Sequence, residues 1–174
     1  MAVFGPVVRF RYVSLPASPT TMRIALYQPD IPQNTGAMLR TAACLGVPVD
    51  VIGPCGFAFS DKALKRVGMD YSDRALVTRH DSWEAFLAAD RIAGHRLVLL
   101  TARAEVPYFA FRFRGDDVLV MGRESADVPE TVEVAVDARL RVPMAPGMRS
   151  LNVVVAAAVV LGEALRQTDA FPET

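Results

Sequence analysis

Several short segments of this chain are apolar almost throughout, where a half-exposed strand would alternate. They lie at residues 23–27 (RIALY), 49–52 (VDVI), 96–101 (RLVLLT) and 118–121 (VLVM). A strand with one wet face reads polar at every second position. A strand apolar on both faces has to be covered on both, as in a parallel sheet with helices on either side. Helical patterns separate these segments. The alternation predicts an α/β layered fold with a mostly parallel sheet. Ligands in such folds sit outside the carboxyl ends of the strands.

The segments between the strands carry their own punctuation. Pro32 opens a helix that runs to about Leu45, with Gly46 just past its end, an arrangement that suits both residues. Ser60 caps a short helix over 61–67, closed by Gly68. A short strand is expected over 74–78. Asp81-Ser82-Trp83-Glu84 reads as a capping box with Asp as the cap, starting a helix to about Arg91. A short helix over 128–134 and a strand over 139–142 follow. Residues 1–21 end in a Pro/Ser/Thr cluster and fit this pattern poorly. They read as a disordered extension, or as an over-long start preceding Met22. The single domain is expected over 22–168, with 169–174 as a tail.

The last strand runs into a Pro/Gly loop, RVPMAPGMRSLN at 141–152, and then into a helix of Val, Ala and Leu. Ser150 suits a helix N-cap, and the helix is expected from there to about Gln167, buried on most sides. The same loop also delivers Arg149, Ser150 and Asn152 to one helix mouth, which suits a binding loop. Both readings stand at this point. The apolar run over 153–162 is about ten residues, against about 20 for a membrane-spanning helix.

Composition excludes further classes. Nineteen basic and nineteen acidic residues cancel, so a polyanion would meet a local patch and not a uniformly basic surface. Two cysteines, outside any C-x-x-C pair, and two histidines offer neither a disulfide framework nor a zinc site and fit a reduced, cytoplasmic setting. No G-x-G-x-x-G, P-loop or G-x-S-x-G is present. The strand ends supply Leu100, then Gly122 with Glu124, then Val142. Glu124 suits a site carboxylate, a solvated loop or a helix N-terminal charge. Asn34 falls at the first turn of its helix and Arg40 farther along it, six positions on. Such an arginine is a surface group, an ion-pair partner or a phosphate contact.

Three blocks, in order and at these spacings, resemble the motifs of the SPOUT-class ribose 2′-O-methyltransferases: IPQNTGAMLR at 31–40, MGRE at 121–124, and RVPM at 141–144 through RSLN at 149–152. The residues between, including GFAF at 56–59 and LKR at 64–66, are similar to the small single-domain branch. The resemblance runs from Met22 to about Gln167. It implies an α/β-knot fold, whose C-terminal segment threads a deep trefoil knot, and a homodimer packed through the first and last helices. It implies S-adenosylmethionine as methyl donor, held by Leu100, Gly122, Val142 and Ser150, with no metal. It implies transfer to the ribose 2′-hydroxyl of the wobble nucleotide (position 34, cytidine or modified uridine) in the anticodon loop of leucine tRNAs. Arg40 is then the activating residue, with Asn34, Glu124, Ser150 and Asn152 as hydrogen-bonding partners. Lys62, Lys65, Arg66, Arg74, Arg79 and Arg149 are phosphate-contact candidates. The chain departs from the pattern at Asp127, where glycine is usual, and at Val154 and Val155, where Ser and Asn are usual. Those departures leave two alternatives: methylation of another RNA, or a knotted RNA- or cofactor-binding protein without catalysis.

Overall fold

A computed structural model of the chain describes residues 22–58 and 76–173. Its strands are β1 (Arg23–Tyr27), β2 (Val49–Ile52), β3 (Val77–His80), β4 (Leu97–Leu100), β5 (Val106–Pro107), β6 (Val118–Met121) and β7 (Ala138–Arg141). They form one sheet in the order β3-β2-β1-β6-β4-β7-β5, and every pairing is parallel. Its helices are α1 (Pro32–Cys44), α2 (Trp83–Leu87), α3 (Glu130–Glu133) and α4 (Val153–Thr168). A single 3-10 turn, Tyr108–Ala110, follows β5.

Alternate side chains of each strand feed two cores. On one face Ile24, Leu26, Val49, Val51, Leu119 and Met121 pack with Met38, Leu39 and Ala42 of α1 and with Ala157, Val160, Leu161, Ala164 and Leu165 of α4. On the other face Ala25, Tyr27, Ile52, Val118 and Val120 pack with Trp83 and Phe86 of α2 and Val132 of α3. The expected two-sided parallel sheet is thus what forms.

Two aspartates are buried in this apolar interior, and both are paired. Asp50 accepts from Arg23 Nε at 2.6 Å and from His80 Nε2 at 2.8 Å, tying β2 to its neighbours on each side. Asp117 accepts from Arg96 Nε at 2.7 Å, Arg96 Nη2 at 2.8 Å and Arg114 N at 2.8 Å. A buried carboxylate without such partners would be strongly destabilising.

Several boundaries differ from expectation. The final helix starts at Val153, and its cap is Asn152, whose Oδ1 accepts from Val154 N at 2.9 Å and Val155 N at 3.4 Å. Ser150 remains in the preceding loop. That helix is also not buried on most sides: Val155 and Val159 are 47% and 38% exposed in the single chain. Ser82, not Asp81, caps α2 by accepting from Ala85 N at 3.2 Å. This helix stops at Leu87 because tighter bonds, Ala89 N to Phe86 O and Ile92 N to Ala89 O, turn the chain toward Gly94 at φ +81. The strand expected over 74–78 forms at Val77–His80, in register with Val49–Ile52. Helix α3 is shorter than expected, with Pro129 as its cap. Residues 1–21, the helix expected over 61–67 and Arg74 lie outside the described residues.

Candidate active site

The carboxyl ends of β4, β6 and β7, the start of α1 and the loop into α4 enclose a cavity of about 620 Å³. Small-molecule sites usually fall within about 300–1,000 Å³. The sheet order explains the position. Strand β6 lies between β1 and β4, so the connections leaving β1 and β6 diverge there and open a crevice.

Leu100 closes β4, Gly122 follows β6, and Val142 follows β7; all three line the cavity with Ser150. Asn34, Glu124 and Asn152 line it too. Seven of the eight residues anticipated from the sequence therefore meet in one place. Arg40 does not: it is exposed on α1 and is not among the lining residues of its own chain. A Cβ on Gly122 would sit 3.2 Å from Val128 Cγ1, so glycine here lets the turn after β6 pack closely on its own loop.

A polar chain crosses the cavity wall. Asn152 Nδ2 donates to Asn34 Oδ1 at 3.2 Å. Asn34 and Glu124 stand in the same cavity wall. Asp30 N donates to Glu124 Oε2 at 3.1 Å, and Glu124 N donates to Asp30 Oδ1 at 3.3 Å. Ser125 Oγ donates to Asp30 Oδ2. The two carboxyls take opposite shifts. Burial, first, and then the neighbouring Asp30 push Glu124 above its ordinary range. Hydrogen bonding from the Glu124 side chain, aided by Ser125, holds Asp30 down at about 2. Adjacent like charges cannot both ionise freely, so the more buried partner holds its proton more tightly.

Sequence reasoning missed Asp30, Thr101, Arg103, Arg123 and Met144. Thr101, Arg103, Arg123 and Met144 line the cavity. Arg103 bonds Glu133 and stands 3.4 Å from Asp127, and Arg139 is 3.7 Å from Glu133. Arg123 Nη1 donates to Gln28 Oε1 at 3.4 Å, and its buried Nε has no acceptor among the described residues. The signal for Asp30 was its place in a proline-flanked turn directly after a strand, Pro29-Asp30-Ile31-Pro32.

The three departures have local explanations. Among described residues other than glycine, positive φ occurs only at Gln28 and Asp169, so position 127 makes no demand for glycine, and Asp127 pairs with Arg103 instead. Val154 packs against the main core and Val155 faces outward. Neither lines the cavity. No group of three or more His, Cys, Asp or Glu is positioned to hold a metal among the described residues, and no described helix is long and apolar enough to cross a membrane.

The model of the SpoU rRNA Methylase family matches residues 21–162. The chain belongs to that family. Among relatives of this SpoU family member is the tRNA (cytidine(34)-2'-O)-methyltransferase of Beijerinckia indica, 58% identical over 148 residues, which are 85% of this chain and 92% of that protein. A solved structure described as "Structural insights into the 2-OH methylation of C/U34 on tRNA" superposes with a TM-score of 0.77 at 44% identity, covering 84% of this chain and 95% of that one. The SpoU methyltransferase AviRb of Streptomyces viridochromogenes, in complex with the cofactor AdoMet, superposes with a TM-score of 0.75 at 26% identity, over 88% of this chain and 62% of that one. The family assignment and the sheet topology agree with the fold class expected from the alternating pattern.

Proposed function

We propose that this protein transfers the methyl group of S-adenosylmethionine to the ribose 2′-hydroxyl of nucleotide 34, cytidine or modified uridine, in leucine tRNAs. The observation that carries the reading is the convergence of the three motif blocks on one cavity at the strand ends, in a chain 58% identical to a protein named for that reaction. The decisive experiment is nucleoside mapping of leucine tRNAs from cells lacking the protein. The reading expects the 2′-O-methyl at position 34 to vanish; its persistence would refute the assignment.

The cavity fits the methyl donor. Leu100, Val142 and Met144 present apolar surface suited to a flat base, and Ser150 offers a hydroxyl beside them. Leu100, Gly122, Val142 and Ser150 would hold the donor, which supplies an activated methyl on sulfur. The chain's own task is to hold the ribose hydroxyl in line and take up its proton. Asn34 and Asn152, joined by a hydrogen bond, and Glu124, held by Asp30 N, form the polar wall for that task.

The reading extends to assembly. We assign residues 22–168 to one domain with the trefoil knot of its family, acting as a homodimer in the cytoplasm with its tRNA. The exposed stripe of Val155 and Val159 on α4 supports a second copy as the covering surface. In a dimer, Arg40 on the exposed side of α1 would approach the cavity of the partner copy and the anticodon-loop phosphates. Arg149, exposed at the cavity mouth, is a further phosphate contact.

A further inference from the structure

The segment between β5 and β6 carries an alternation that the sheet does not use. It reads Phe111-Arg112-Phe113-Arg114. Phe113 is buried and Phe111 half-buried, both against the main core, with their rings edge to face at 5.0 Å. Arg112 and Arg114 are exposed. Apolar side chains inward and cations outward at every second position is the pattern of a strand with one wet face. Among the described residues, however, no strand pairs with this segment. Side chains fix its backbone instead. Gln167 of α4 donates from Nε2 to Phe111 O at 3.0 Å and accepts at Oε1 from Phe113 N at 2.9 Å. Arg96 Nη2 donates to Arg112 O at 2.9 Å, and the Arg96 guanidinium lies 4.6 Å from the centre of the Phe111 ring. Asp117 Oδ2 accepts from Arg114 N at 2.8 Å. The result is a firmly held main chain that presents two arginines to solvent.

Those arginines have no acid beside them. Arg23, Arg96, Arg103, Arg139 and Arg166 each pair with a carboxylate. Among the described residues, Arg112 and Arg114 pair with none. Asp117, the acid nearest in sequence to be fully buried, is taken by Arg96. Just before them Phe109 is 62% exposed, edge to face with Tyr108, on a 3-10 turn that packs against α4. In a chain whose charges cancel overall, this is a local basic patch with an aromatic ring in it, the pattern that suits a polynucleotide. It is distant from the cavity. Helix α4 starts at Asn152 in the cavity wall, and Gln167 lies about four turns further on, about 22 Å along the axis. It also lies off the stripe assigned to the second copy. At about 100° per residue, Gln167 stands about 100° around the helix from the middle of the Val155–Val159 stripe.

We propose that Phe109, Arg112 and Arg114 form a second RNA contact, a clamp on the sugar-phosphate backbone of the substrate's paired arm. The proposal rests on the reading of this protein as a tRNA 2′-O-methyltransferase. With the target nucleotide in the cavity, RNA about 22 Å away lies beyond the target's own loop, in the helix that closes it. Paired RNA offers phosphates and 2′-hydroxyls and hides its base edges. Two guanidiniums meet that surface by charge-assisted hydrogen bonds to phosphate, and the ring packs on the sugars. Alternate residues of an extended segment stand about 7 Å apart, close to the separation of neighbouring phosphates on one strand. Such a clamp adds affinity and orientation without reading sequence.

The test is binding of the full-length protein to leucine tRNA and to a single-stranded oligonucleotide of its anticodon loop, each across a range of salt concentrations. Each phosphate contact contributes about 1 to the slope of log affinity against log salt. Replacing both arginines, Arg112→Gln with Arg114→Gln, should therefore reduce the slope for tRNA by about 2. Arg112→Lys with Arg114→Lys should restore it. Phe109→Ala should weaken tRNA binding at every salt concentration and leave the slope unchanged. On the loop oligonucleotide, wild type and glutamine variant should bind alike. Melting temperature, sedimentation and S-adenosylmethionine affinity should match wild type throughout. An unchanged tRNA slope in the glutamine variant overturns the clamp and turns the surface over to an acidic protein partner. An equal loss on the loop oligonucleotide overturns the placement on the paired arm. Methyl transfer is read separately. A slope loss in a protein that leaves position 34 unmethylated keeps the clamp and sinks the functional reading, whereas an unchanged slope in an active enzyme sinks the clamp alone.

Discussion

Asn152 Nδ2 donates to Asn34 Oδ1 at 3.2 Å, while Asn152 Oδ1 caps α4 by accepting from Val154 N and Val155 N. One side chain therefore starts the last helix and joins it to the first. The two roles use different atoms and can be separated. Asn152→Asp keeps the capping oxygen and loses the donor to Asn34. Methyl transfer should fall more than about tenfold, a loss of about 1.4 kcal/mol in transition-state stabilisation, while the melting temperature holds. Asn152→Ala loses both roles, and urea unfolding should show an additional cost of about 1 kcal/mol.

Asp117→Ala should destabilise the fold more than any substitution in the cavity wall. It leaves the Arg96 guanidinium without the carboxylate that grips it at 2.7 and 2.8 Å. Breaking a buried pair by removing one partner typically costs about 3–5 kcal/mol. Urea denaturation should show a correspondingly lower midpoint, and a midpoint equal to wild type would refute the assignment.

Acid stability should carry the signature of the two cavity carboxyls. Asp30 is lowered to about 2, so its stabilisation is complete above its ordinary value of 3.8 and is lost as pH falls toward 2. Glu124 is raised, so its contribution is present below 4.5 and is lost as pH rises through its folded value. Glu163, held near 2 first by Arg166 and then by Gln167, adds to the acid-side loss. Unfolding free energy followed against pH should fall less steeply below 3.8 in Asp30→Asn than in wild type. In Glu124→Gln the decline above 4.5 should disappear.

Arg40→Ala should lower methyl transfer by more than about 10²-fold with the melting temperature unchanged, because the side chain is exposed on α1 and contributes little to the core. Val159→Asp, on the exposed stripe of α4, should shift sedimentation from dimer to monomer. An unchanged sedimentation coefficient would place the contact on another surface.

Much of the sheet was readable because strands buried on both faces carry uniform apolar runs. Strand β5 was not: two residues at the sheet edge, one of them proline, leave no periodicity to read. The strand-end rule marked the segments that hold Leu100, Gly122 and Val142, and the motif resemblance picked out those three residues, which line the cavity. It had no means of finding Asp30, whose partner Glu124 lies 94 residues away. The helix cap shows a different limit. Ser150 and Asn152 are equally good N-caps by residue type, and the choice fell to the one that also reaches Asn34. Arg40 was readable by motif alone, and the geometry of a single chain gives it no place at the cavity.

The position of β1 in the sheet sets the order in which the protein can be made. Ile24 pairs with Val49 on one side and with Leu119 on the other. The first partner emerges from the ribosome soon after β1, and the second only after most of the chain has been synthesised. Until then one edge of an almost wholly apolar strand has no neighbour, and β4 lacks the strand that joins it to β1. Such non-local parallel pairing slows folding and leaves sticky edges open for the duration of translation. The nascent chain is therefore a natural client for chaperones, and its refolding yield from denaturant should fall steeply with protein concentration.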